Sequence, residues 1–165
     1  HSLSRRQRQM CIRDSNIDPA IIEEALLGHE AVAFAGAIGQ PDKHSGELPC
    51  VYVELVGGAK VTPEELDDFC KENVKEPGAQ PKHVEILEEL PKTAVGKVFK
   101  PDLRKRAIMR VFSQTLSDSN VNASITSVDD DKKLGLVANI SSNEDEGVLN
   151  EALGEFAVAW QRAKN

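Results

Sequence analysis

Two helix starts of the same design constrain this chain more than anything else in it. Asp18-Pro19 and Thr62-Pro63 each set a capping side chain before a proline suited to the first helical position. Glu65 stands three residues after Thr62, where a capping box needs it. Ile21, Ile22, Ala25 and Leu26 give the first helix an apolar stripe that Gly28 closes. Leu66, Phe69, Cys70 and Val74 give the second its buried face. Between them lie two strand-like runs. "AVAFAGAIG" (31–39) is apolar and small, as a buried strand is, and "CVYVELV" (50–56) alternates before Gly57-Gly58. The stretch 40–49, "QPDKHSGELP", reads as a long polar turn. "EPGAQPK" (76–82) is a loop, "HVEIL" (83–87) a short strand, and "KPDLRKRAIMRVFSQTL" (100–116) a helix opened by Pro101. The order α-β-β-α-β-loop-α predicts an α+β fold, a small mixed sheet with helices packed on it.

The remaining stretch adds a β-β-α appendage. Strands are expected at 121–128 and 134–141, a hairpin turn at 129–133 and a final helix over about 146–163. A chain of 165 residues has room for one ordinary domain with such an extension.

Composition removes several function classes. No apolar run approaches the roughly 20 residues of a membrane span. A net charge of −7 disfavours nucleic acid and anionic membranes, and 4% aromatics leave few stacking platforms. Cys11, Cys50 and Cys70 are odd in number and form no CxxC pair, so a disulfide framework or zinc ribbon is not expected. Reduced thiols in a cytoplasmic protein are. His29 and His44 have no partner at ligand spacing, so no metal site is predicted. Residues 1–15 depart from the rest, with Arg5, Arg6, Arg8 and Arg13 crowded together and no signal-peptide h-region. A transit segment, a basic nucleic-acid arm and foreign sequence at the end of an incomplete gene all fit this stretch. The last is favoured.

The stretch "LPKTAVGKVFKPDLRKR" (90–106) raises the functional question, which is what Lys97 is for. It reads as a solvated surface cation, as a P-loop lysine, or as a cation carried on a mobile loop to an anionic reaction centre. The P-loop reading fails, because G-x-x-x-x-G-K-[ST] is absent and Val98 stands where a magnesium-binding hydroxyl would be. In favour of the third, Gly96 frees the backbone, Thr93 offers a hydroxyl and Pro91 fixes the start of the loop. A long stem bearing a point charge suits a carboxylate meeting a phosphate.

Leu90, Pro91, Thr93, Gly96, Lys97, Val98, Lys100, Leu103 and Arg104 together resemble the C-terminal signature of the adenylate-forming superfamily. That superfamily includes acyl-CoA synthetases, peptide-synthetase adenylation domains and luciferases. Pro41, Asp42, Gly46, Glu47 and Pro49 resemble an upstream motif of the same family, and "TPEELDDFCKENV" (62–74) is similar to the helix that follows it. The resemblance runs over about 16–108 in the right order. Asn16, Ile17 and Pro19 resemble the end of a family motif whose preceding glycines are replaced here by "CIRD". Three segments are therefore expected: 1–15 non-native or disordered, 16–108 the small C-terminal domain of an adenylate-forming enzyme, and 109–165 an extension of helix, two strands and helix.

The resemblance implies an AMP-forming acid-thiol ligase. A carboxylic acid attacks the α-phosphate of ATP to give an acyl-adenylate. Coenzyme A then takes the acyl group and releases AMP. By resemblance Lys97 is the adenylation lysine, with Thr93 and Gly96 shaping its loop. Asn16, Gly46, Glu47 and Lys82 are candidates for the thioester and coenzyme A side, with His83 beside Lys82. The resemblance also implies that ATP, its magnesium and the acid are bound by a missing N-terminal large domain. The chain alone is then expected to be inactive, and its oligomeric state stays open. Two rivals stand beside this reading: a non-catalytic interaction module derived from the domain, and nucleic-acid binding through the Arg-rich start.

Overall fold

The computed structural model describes residues 10–12 and 15–163. Contacts divide the chain into two compact units. One comprises residues up to Gly39 with Glu47–Leu103, and the other Gln40–Gly46 with Arg104 onward.

The first unit is built on a mixed five-stranded sheet. Its strands are β1 (Met10–Ile12), β2 (Ser15–Ile17), β3 (Val32–Asp42), β4 (Gly46–Leu55) and β5 (Val84–Leu87). The order is β2-β1-β4-β3, with β5 also paired to β4. β4 and β5 run parallel, in register from Val51↔Val84 to Glu54↔Leu87. Such a pairing needs a crossover, which α2 (Pro63–Asn73) and a 3-10 turn at Pro77–Ala79 supply. Pro49–Val53 are buried without a break, because both faces of β4 are covered.

Both predicted helix starts are present. Asp18 accepts from the Ala20 amide at 3.0 Å and starts α1 (Pro19–Leu27). Thr62 and Glu65 form a reciprocal capping box at the start of α2. Ile22 and Leu26 of α1 and Leu66 and Cys70 of α2 share one core with Val51 and Val53 of β4. Burial lifts the Cys70 thiol to about 11, and Cys50 is buried too.

The long polar turn expected at 40–49 is instead a tight hairpin. β3 runs on through Asp42, whose carboxylate accepts from the amides of His44 and Ser45, at 3.1 and 2.8 Å, and β4 starts at Gly46. An Asx turn closes the connection in a few residues, so the flanking polar residues join the ladder.

The second unit has its own core. It is formed by the later turns of α3 (Lys100–Asp118), the strands β6 (Ala123–Asp131), β7 (Gly135–Ser142) and β8 (Ala159–Arg162), and α4 (Glu146–Leu153). Ile108, Phe112 and Leu116 of α3 pack with Ile140, Leu149 and Leu153. Phe112 meets the Phe156 ring at 4.9 Å. The final helix expected over 146–163 stops at Leu153, where Gly154 caps it through its N–H on the Asn150 carbonyl. The chain then adds β8 parallel to β7, from Val137↔Ala159 to Ile140↔Arg162. Helical periodicity over the first turns hid a crossover, and the appendage is β-β-α-β.

The expectation that residues 1–15 are non-native or disordered falls largely outside the described residues. Met10–Ile12 pair antiparallel with Ser15–Ile17.

Phe112 is fully buried. Phe112→Ala is expected to cost the second unit about 3–5 kcal/mol, read by urea unfolding followed at Trp160.

Candidate functional site

Lys97 sits on a short hairpin between β5 and α3. Lys92 and Val98 form an antiparallel bridge. The Thr93 amide donates to the Lys97 carbonyl at 2.7 Å, and the Gly96 amide donates to the Thr93 carbonyl at 2.9 Å. The Lys97 amide donates to the Thr93 hydroxyl at 3.2 Å. Gly96 has φ +85, a left-handed conformation that side-chain-bearing residues rarely adopt. Thr93 and Gly96 therefore shape the loop through the backbone of Lys97 itself. Phe99 closes the base, donating its amide to the Pro91 carbonyl at 2.7 Å.

The arms of the hairpin are fastened to the first unit. Glu54 Oε1, at the end of β4, accepts from the Leu90 amide at 2.9 Å and from Lys92 Nζ at 2.7 Å. Lys92 Nζ also lies 4.3 Å from the centre of the Phe34 ring. On the far arm, Lys100 Nζ is 3.1 Å from Glu23 Oε2, which accepts from the Ala37 amide at 3.0 Å. Between the arms, Val98 and Leu103 press on β3 at Gly36. A Cβ there would come within 2.9 Å of Val98 Cγ1 and 2.7 Å of Leu103 Cδ1. The Lys92 ammonium, with the Leu90 amide behind it, holds the Glu54 carboxyl below its ordinary value.

Lys97 contrasts with both neighbours. Its side chain is exposed, and among the described residues no carboxylate lies within ion-pair distance of its ammonium. Val95, at the tip, is 80% exposed. The hairpin offers one uncompensated cation at the end of a braced support.

The other predicted residues lie elsewhere. Gly46 (φ +83) and Glu47 open β4, and the Glu47 carboxylate lies across the bare Cα of Gly39. Lys82 donates its amide to the Pro49 carbonyl at 2.7 Å, and its side chain is exposed. Glu47 and Lys82 thus stand near the start of β4, while Glu54 fastens the Lys97 hairpin at its end. The seven residue steps from Glu47 to Glu54 span about 23 Å. Asn16 is in β2, registered against Cys11. His83 is committed to Glu85 at 3.0 Å. His29 accepts from the Ala31 amide and meets the Phe69 ring edge-on at 4.8 Å, so both histidines have structural partners. Among the described residues no three His, Cys, Asp or Glu side chains are grouped to hold a metal ion, and no helix is long and apolar enough to cross a membrane. The second unit has a groove of about 480 Å³ lined by Asn122, Ser124, Ser142, Asn143 and Arg162 among others, none of them a predicted site residue.

Sequence reasoning missed Glu23, Gly36 and Glu54. Glu54 lies 38 positions from the lysine it binds, and no local pattern links them.

Residues 21–97 match the family AMP-binding enzyme C-terminal domain. A marinolic acid–CoA ligase of Pseudoalteromonas sp. (strain SANK 73390) is 41% identical over 131 residues, which is 78% of this chain and 20% of that protein. Among solved structures, an acyl-CoA synthetase of Brucella canis superposes with a TM-score of 0.55 at 34% identity, over 64% of this chain and 19% of that one. An o-succinylbenzoate CoA synthetase of Bacillus subtilis, in complex with its acyl-adenylate intermediate, superposes at 0.53 and 35% identity, over 60% and 20%. The chain spans about a fifth of the length of these relatives.

The Glu54 carboxylate has a lowered folded pKa, so its stabilisation is present above the unfolded value of 4.5 and is lost as pH falls through the folded value. Glu54→Gln is expected to unfold about 1.5–3 kcal/mol more easily than the parent at pH 7. That gap should close as pH is lowered below 4.5 in a denaturant series.

Proposed function

Because this chain carries an AMP-binding enzyme C-terminal domain, we propose that it is the lid of an AMP-forming acyl-CoA synthetase. The assigned span is 16–108, with 109–165 as an extension supported by its own core. In the first half-reaction a carboxylic acid attacks the α-phosphate of ATP, and pyrophosphate leaves. The attacking oxygen and the phosphoryl group are both anionic, and a cation fixed between them lowers the barrier. Lys97 is that cation. The observation that carries the assignment is its contrast with Lys92 and Lys100, which are each neutralised by a glutamate while Lys97 is not.

In the second half-reaction a thiol, coenzyme A in this reading, attacks the acyl carbon and expels AMP. Glu47 and Lys82, near the start of β4, with Gly46 and Asn16, are assigned to that step. The separation of the two groups along β4 supports a domain that turns a different end to the reaction centre in each step. The nucleotide, its magnesium and the acyl group are assigned to a large domain, as the resemblance to the adenylate-forming superfamily implies. The acid is left unspecified, because its pocket belongs to that domain. The buried thiols of Cys50 and Cys70 suit a cytoplasmic enzyme.

The test supplies this chain with the large domain of a related synthetase. Lys97→Ala is expected to lower acid-dependent pyrophosphate release by about 10²–10³-fold while leaving thioester formation from added acyl-adenylate nearly intact. The chain by itself is expected to form no acyl-CoA. Equal loss of both half-reactions, or turnover by the chain alone, would count against the assignment.

A further inference from the structure

Three lysines lie within the hairpin and its arms, and only one can serve as the free cation. What selects Lys97 is the placement of two glutamates with the same bonding pattern. In each, a single carboxylate oxygen takes one backbone amide and one lysine. Glu54 Oε1 takes Leu90 N–H and Lys92, and Glu23 Oε2 takes Ala37 N–H and Lys100. These are not loose surface pairs, since the four side chains are between 16% and 29% exposed. Because Lys92 is bridged to Val98, and Pro91 accepts from Phe99, fixing Lys92 also fixes the residue that follows Lys97.

We propose that Glu54, seconded by Glu23, is a positioning residue for the adenylation step. Its carboxylate anchors the hairpin through Leu90 and Lys92 and so aims the Lys97 ammonium. This rests on the reading of Lys97 given above. Glu54 does not touch the reacting atoms. It acts through two contacts that a neutral small side chain cannot replace. Removing it frees the first arm of the hairpin and also uncovers a second cation, Lys92, that competes for the same anion. A misplacement of about 1 Å in a catalytic group costs up to about a hundredfold in rate. Glu23 makes the equivalent anchor on the second arm, where Gly36 already lets Val98 and Leu103 seat on β3, so its loss is expected to matter less.

The experiment compares Glu54→Ala, Glu54→Gln, Lys92→Met and Lys97→Ala, each in this chain paired with a related large domain. Acid-dependent pyrophosphate release is followed over a range of ATP concentrations at saturating acid, and thioester formation from supplied acyl-adenylate is followed separately. Amide exchange at Leu90 and Lys97 is measured in the chain alone. Glu54→Ala is expected to slow adenylation about ten- to a hundredfold at unchanged KM for ATP, to leave thioester formation within twofold, and to speed exchange at both amides. Glu54→Gln keeps an acceptor for Leu90 and should recover part of the rate. Lys92→Met removes the other partner and should reproduce part of the loss, which also keeps the test decisive if Glu54→Ala does not fold. The proposal is overturned if Lys97→Ala loses adenylation while the Glu54 and Lys92 variants keep it within twofold. Both half-reactions falling together, with a matching rise in KM, would overturn it as well, because that is the mark of a merely structural residue. If Lys97→Ala itself leaves adenylation unchanged, the functional reading fails instead.

Discussion

The pairing of β4 with β5 is the constraint on which the site depends. The two strands are parallel and buried, and their register ends at Glu54↔Leu87. Three residues beyond Leu87, the Leu90 amide meets the Glu54 carboxylate. A slip of one residue would turn Glu54 to the opposite face of the sheet and strip the hairpin of its anchor. The register is protected where it matters, because Val51, Tyr52 and Val53 are fully buried and a slip would reorder all of them. Core packing, made of ordinary aliphatic side chains, therefore determines where the proposed catalytic cation, Lys97, can stand.

Some of this is legible in the chain and some is not, and the division follows the range of the interactions. The capping box at Thr62 and Glu65 is a contact over three residues, and it is found where the pattern puts it. The hairpin at 43–45 was hidden although its signal, Asp42 two residues before His44, is equally local. The polar residues around it suggested a loop, whereas they lie within strands. The last strand was hidden because the helical stripe of Glu146–Leu153 looked able to continue, and only pairing with β7 tells a strand from a frayed helix there. Lys97 stood out because its neighbours in sequence form a motif. Glu23 and Glu54 did not, because a carboxylate becomes an anchor only when the sheet brings a lysine to it.

The second unit illustrates how an extension can be self-sufficient. Its core is drawn from α3, β6, β7, α4 and the stretch leading to β8, and Phe112 meets Phe156 across it. Independent stability of a sheet needs three or more strands with a hydrophobic face, or packing against a helix, and this unit has both. The parallel β7–β8 pair requires the intervening helix, so α4 is a crossover as well as a cover. The groove at one end of this sheet's strands is polar and its arginine is already spent, with Arg162 donating to the carbonyls of Ser142 and Glu144.

In the proposed function Lys97 meets the substrate in one step and leaves in the next, so it would travel on a flexible loop or on a whole domain. The bonding here favours the second. The hairpin is closed on itself by three backbone hydrogen bonds, tied to Glu54 and Glu23 at its arms, and seated on Gly36 beneath. Freeing the loop would break charge-assisted hydrogen bonds in a partly buried setting, each contributing about 1.5–3 kcal/mol. Letting a domain turn about a linker breaks none of them. With the hairpin braced in this way, the movement that the proposed reaction needs is more economically made by the domain than by the loop alone. Such an arrangement would keep the aim of Lys97 constant as its distance from the proposed reaction centre changed. A cation that must stabilise a developing charge at once, without reorganising around it, needs that constancy.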